Sequence, residues 1–137
     1  MAYQRRILSD ATPTTLNNFA TVLNTGSYSA SIDCWNYHDV EFFIKINSFG
    51  SATTLQVNIG SATTDSLTPS DWALYTTEDI TSGAAPQSTY TIEYDLTSLS
   101  APCTVAISVP VRGRFLRIFL LPDATISTVT VSGMRRV

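Results

Sequence analysis

The sequence predicts an all-β protein, an antiparallel sandwich of about eight short strands with little helix. Three observations point there. Apolar residues recur at every second position, most clearly at Val40, Phe42, Ile44 and Ile46, as a strand with one buried face requires. Clusters of Gly, Pro, Asn and Ser separate these runs. Ser, Thr, aromatic and β-branched residues are abundant, and Lys45 is the single lysine, a mixture that favours strands and turns over helices. No long window has helical periodicity, although Ser66 to Trp72 could hold one turn. A chain of 137 residues is the size of one domain and can bury a core without staples.

In chain order, residues 1–18 are expected to form an N-terminal arm or edge strand, and residues 19–137 a single sandwich domain. Phe19 to Leu23 is a short strand with its turn at Asn24 to Ser27, and Tyr28 to Trp35 alternates weakly. His38 and Asp39 make a corner before the strand Val40 to Ile46. Asn47 to Ser51 then leads into Leu55 to Ile59, whose Leu55, Val57 and Ile59 face inward; the spacing is that of a hairpin with a longer loop. Gly60 to Asp71 reads as a polar loop before the strand Trp72 to Tyr75. Another loop, Glu78 to Ser88, is followed by the alternating strand at Tyr90, Ile92 and Tyr94. Cys103 to Val109 and Phe115 to Leu121 flank a corner at Pro110 to Gly113. Ile126 to Val131 is the last strand, with Gly133 to Val137 as a tail.

Phe115 to Leu121 is apolar at nearly every position, so it should be a central strand covered on both faces. Arg117 lies inside that run and Arg114 at its mouth. Each must find a carboxylate, backbone carbonyls or water, because an unpaired buried charge is prohibitive. The expected core is Phe42, Ile44, Val57, Ile92, Ile107, Val109, Leu116 and Ile118.

Charged residues make up 14% of the chain and the net charge is −3. The sign argues against nucleic acid as a partner. So low a charge content suits a surface packed against neighbours; a hydroxyl-rich surface without a partner is the alternative. Between Ile7 and Val111 the only cation is Lys45, whereas every Arg lies toward one end of the chain. These Args either form a docking patch, pairing bidentately with carboxylates of another protein, or pair internally with the acidic strands. The first residues have no long apolar stretch behind them, so neither a signal peptide nor a membrane span is expected. Cys34 and Cys103 fit no metal-ligand spacing; they read as buried small hydrophobes, with a disulfide as the alternative.

No catalytic constellation emerges, and the chain is not expected to be an enzyme. His38 is the single histidine. Asp33, Asp39 and Glu41 lie near it in sequence, but without a second ligand or a nucleophile it reads as a corner residue. There is no G-x-S-x-G, no phosphate loop and no zinc motif. Glu78 with Asp79, and Glu93 with Asp95, read as solvated surface rather than a glycosidase pair. Asp65 and Asp71 could offer oxygen to Ca²⁺, but nothing fixes a coordination set, so neither a metal nor a cofactor is expected. Trp35, Tyr37, Trp72 and Tyr75 lie beside predicted loops and could stack on a sugar ring, or serve as core and rim packing.

The succession HDVEFFIKINSFGSATTLQVNI, SLTPSDWALYTTEDITSG, TYTIEYDL, SVPVRGRFLRIFL and STVTVSGMRRV resembles the small β-sandwich proteins of tailed-phage virions, some of which are similar to galactose-binding (discoidin-like) domains. The resemblance covers Tyr37 to Val137. It implies a jelly-roll or galactose-binding-like sandwich and a structural role in a virion assembled in the host cytoplasm. That role would be a capsid decoration or cement protein, a homo-oligomer on the particle that contacts the major capsid protein or another virion protein. The expected contact residues are Tyr3, Arg5, Arg6, Ile7 and Leu8 in the arm, with Arg135 and Arg136 beside them. The alternative is a carbohydrate-binding module of a phage tail or head fibre, using Trp35, Tyr37, Trp72 and Tyr75.

Overall fold

The computed structural model describes residues 8–76 and 89–137. Among the described residues, ten strands form two antiparallel sheets: β1 (Thr14–Val22), β2 (Ser27–Tyr28), β3 (Ile32–Asp33), β4 (Asp39–Ser48), β5 (Thr54–Ala62), β6 (Ala73–Leu74), β7 (Thr91–Asp95), β8 (Cys103–Pro110), β9 (Phe115–Pro122) and β10 (Ile126–Arg136). Single 3-10 turns at Pro69–Asp71 and Leu96–Ser98 are the described helical elements. None of these is long and apolar enough to cross a membrane.

The four-stranded sheet runs β1-β10-β4-β8, and the six-stranded sheet runs β2-β9-β5-β6, with β3 also on β9 and β7 also on β5. The inner faces meet in one core. Val40, Phe42, Ile44 and Ile46 come from β4, Leu55, Val57 and Ile59 from β5, and Leu116, Ile118 and Leu120 from β9; all ten are fully buried. Of the residues expected inside, only Ile92 is half-buried, because β7 pairs with the first half of β5 at the sheet edge. β9 is a central strand, bordered by β2 and β3 on one side and β5 on the other.

Several expectations are corrected. β4 and β5 are not a hairpin; they lie in different sheets. Their period-2 patterns say which face is buried, and that holds equally for neighbours and for strands facing each other across a sandwich. Residues 60–62 extend β5 instead of opening a loop, and the supposed tail is the end of β10, paired with β4 as far as Arg136↔Asp39. The strand read from Phe19 begins at Thr14, as β1 on the sheet edge, so residues 14–18 belong to the sheet. Trp72 to Tyr75 shrinks to the two residues of β6. Cys34 and Cys103 are both free thiols, as the main reading of them had it, but Cys103 is only half-buried.

The corner between β8 and β9 carries the chain from one sheet to the other, and Tyr75 fastens it. The Tyr75 hydroxyl donates to Pro110 O at 2.6 Å and accepts from Arg112 N at 3.0 Å. Tyr75→Phe would leave both backbone groups short of that partner, so it should cost about 1–3 kcal/mol. A denaturant midpoint unchanged from wild type would show that the corner does not depend on the hydroxyl.

Candidate aromatic and arginine site on the six-stranded sheet

The side chains of β9 alternate. Leu116, Ile118 and Leu120 point into the core, while Phe115, Arg117, Phe119 and Leu121 lie on the outer face. Strand register sets the neighbours of Arg117. Arg117 pairs with Gly60 on β5, Gly60 pairs with Leu74 on β6, and Phe119 pairs with both Tyr28 on β2 and Asn58 on β5. Gly60 has no side chain, which leaves a gap in the cross-strand row between Arg117 and Leu74.

Trp72 comes down beside that gap because its loop is pinned. Its indole Nε1 donates to Ser66 O at 2.9 Å, Ser66 Oγ donates to Asp71, and Thr68 N donates to Ser66 Oγ at 3.0 Å. Tyr28 arrives from the other side. It follows a turn in which Gly26 has φ +88°, and a Cβ at Gly26 would overlap the Phe119 ring. The Tyr28 and Phe119 rings pack with centroids 4.6 Å apart.

Arg117 therefore sits between two aromatic faces, its Cζ 3.9 Å from the Tyr28 ring and 4.2 Å from the Trp72 ring. The residue is 9% exposed, and its Nη2 is closed to solvent with no hydrogen-bond partner. Of the partners expected for it, neither a carboxylate nor a backbone carbonyl bonds Nη2 among the described residues; the surroundings supply π faces. Burial pushes the guanidinium down from its ordinary value, while Tyr28 and Asp65 push it the other way. A groove of about 140 Å³ opens on one side, lined by Tyr28, Asn58, Gly60, Trp72, Leu74 and Phe119 together with Pro69 and Arg117. A second groove, sharing Arg117 and Trp72, is bordered by Ser29, Ser31, Asp65, Ser66 and Leu67. Leu67 is 96% exposed and Leu74 50%.

Three of the other Args take internal partners. Arg114 makes a bidentate contact with Asp33, at 3.1 and 2.9 Å, and lies near the rings of Trp35 and Phe115. Arg135 bonds both Asp10 oxygens and Asp33 O, and stacks on Tyr37. Arg136 reaches Glu41 at 2.9 Å. Of the expected arm contacts, Tyr3, Arg5, Arg6 and Ile7 lie outside the described residues, and Leu8 is exposed. The four aromatics considered for sugar stacking do not share one platform. Trp72 and Tyr75 are buried, Trp35 is exposed beside Arg114, and Tyr37 lies under Arg135. Beside Tyr37, burial pushes the Cys34 thiol up to about 12, so it is held as an unreactive thiol. His38 is an exposed corner residue whose backbone bonds Arg136 and Val111. Among the described residues no group of three or more His, Cys, Asp or Glu could hold a metal.

Arg117 stood out in the sequence as a charge inside an apolar run. Tyr28, Asn58, Gly60, Leu74 and Phe119 did not, because only strand register brings them to it. A scan against protein-family models gives no match, and a search of the curated proteins gives none either.

Proposed function

We propose that this chain is a structural virion protein of a tailed bacteriophage, a capsid decoration or cement protein that binds a shell protein and works by contact, not catalysis. The observation that carries this reading is the Arg117 face. Trp, Tyr and Arg are the residues that dominate binding energy in protein interfaces, especially where they cluster in a desolvated pocket. Here one of each is stacked, with Leu67 and Leu74 exposed beside them. The sparse charge of the chain and its resemblance over Tyr37 to Val137 to phage sandwich proteins support the particle assignment. Because Arg135 and Arg136 are engaged with Asp10 and Glu41, the docking surface of this reading moves from the chain ends to the six-stranded sheet. Many copies on a symmetric shell would multiply a modest single-site affinity.

Immunogold labelling of purified virions, with antibody raised against the recombinant domain, should place regular label on the particle. Particles bearing neither label nor the protein's peptides by mass spectrometry would refute the reading. A carbohydrate-binding role is favoured by one observation, the Trp35 indole, 62% exposed and flanked by Arg114. Binding of a defined glycan, abolished by Trp35→Ala, would put that reading first.

A further inference from the structure

We infer that the groove beside Arg117 is a carboxylate-binding site, filled by an Asp or Glu side chain of the partner protein; this rests on the docking role proposed above and names the chemistry of the partner. Arg117 is nine-tenths buried, yet among the described residues no carboxylate forms an ion pair with it and Nη2 has no acceptor. A buried donor left unmade is costly, and a charged one more so. The Tyr28 and Trp72 rings stabilise the cation but leave the N–H groups of Nη2 without acceptors. A carboxylate is the group that matches the edge of a guanidinium, by paired, charge-assisted hydrogen bonds.

The two grooves at Arg117 are not equivalent. One holds Asp65, whose Oδ1 accepts from Ser31 Oγ at 2.6 Å, and its anionic charge disfavours a second anion there. Asp71 lies on the same loop, tied to Ser66. The 140 Å³ groove on the other side has no acidic lining residue, and its walls are Tyr28, Trp72, Leu74 and Phe119. That combination suits a carboxylate on a short aliphatic stem, entering from a surface that also covers Leu67 and Leu74. Tyr28 and Leu74 are about half exposed at the rim, so they can turn to let an oxygen reach Nη2. Asn58 is already committed, its Nδ2 donating to Tyr90 O and Thr91 Oγ1, which leaves Arg117 as the cation that selects the ligand.

The test is an NMR titration of the intact chain, following the Arg117 Nε and Trp72 Nε1 signals. The probes are a blocked leucyl-glutamyl-leucine peptide, its glutamine counterpart and inorganic phosphate. The glutamyl peptide should shift both signals saturably, and the glutamine peptide should bind about tenfold more weakly or less. Arg117→Met should abolish the response. It should also fold, since replacing a buried charge by an apolar chain of similar length is often neutral or stabilising. Gly60→Ala is the gentler variant. Its Cβ would sit 3.7 Å from Trp72, an ordinary contact, so the sheet keeps its shape while the groove narrows and the affinity falls. Asp65→Asn should raise affinity severalfold by removing the competing charge. Equal binding of the two peptides, tighter binding of phosphate, or no shift with any probe (a buried water then serving Nη2) would each overturn the inference. The virion reading fails separately. Peptide binding by a protein absent from particles would leave the site without its partner, whereas Arg117→Met protein decorating particles at wild-type occupancy would remove the site from docking but leave the virion role.

Discussion

Ile118→Ala is expected to lower stability by about 2–5 kcal/mol, the usual range for truncating a fully buried Ile, and to appear as a reduced denaturant midpoint at unchanged slope. The size follows from where the side chain sits. Ile118 is 0% exposed and stands opposite Ile59, itself 0% exposed, on β5. Its backbone is held from the other edge by Ser29, whose N–H donates to Ile118 O at 2.8 Å and whose Oγ accepts from Ile118 N at 3.0 Å. A strand fastened on both edges cannot slide inward to fill the void, so the cavity term persists in addition to the lost transfer energy. A loss below about 1 kcal/mol would mean that the site collapses easily, and β9 would not be the rigid centre of its sheet.

Arg135→Met should be the second large effect, roughly 2–4 kcal/mol at neutral pH, since charged hydrogen bonds count for more than neutral ones and a partly buried carboxylate is left without its partner. Arg135 meets Asp10 at 2.9 Å through Nε, with side chains 26% and 14% exposed. It also donates to Asp33 O and covers Tyr37. The hydrogen bond from Arg135 holds the Asp10 carboxyl below its ordinary value of 3.8. A carboxylate whose folded value is depressed contributes stability that is present above the unfolded value and lost as pH falls through the folded one. The gap between wild type and Arg135→Met should therefore be widest above about pH 5 and shrink as pH falls below about 4. A gap that stays constant over that range would assign the effect to packing on Tyr37 instead of charge.

The strands were the legible part of this chain. In β4 and β5 a fully buried residue alternates with a more exposed one over several positions, so hydropathy alone marks them. The partner of each strand was not legible. Val57 would be equally buried beside Ile44 in one sheet or across from it in the other, and the hairpin reading of β4 and β5 failed on that point. The site was legible only at Arg117, where a charge interrupts an apolar run. Its aromatic faces come from Tyr28 and Trp72, 89 and 45 positions away in the chain. Nothing local marks Gly60 as the residue whose missing side chain opens the groove. The Args near the chain ends were visible as a charge pattern, but whether they faced outward or inward depended on Asp10, Asp33 and Glu41 meeting them through strand pairing.

The pairing of β1 with β10 has a mechanical consequence. The two strands are antiparallel, with Thr14 opposite Gly133 and Val22 opposite Ile126. Beyond them Asp10 N bonds Arg135 O, and Val137 N bonds Ser9 Oγ. Residues 9 and 137 therefore leave the domain at the same place. Ladder bonds lie perpendicular to antiparallel strands, so tension applied between these residues would pull along the bonds and open them one pair after another, like a zipper, instead of shearing the whole row at once. A pull through the ends would meet little resistance. A load entering through the face of the six-stranded sheet would be spread over β9 and β5, each paired along both edges. Whatever loads this domain meets the stronger part of the fold at that face and the weaker one at residues 9 and 137.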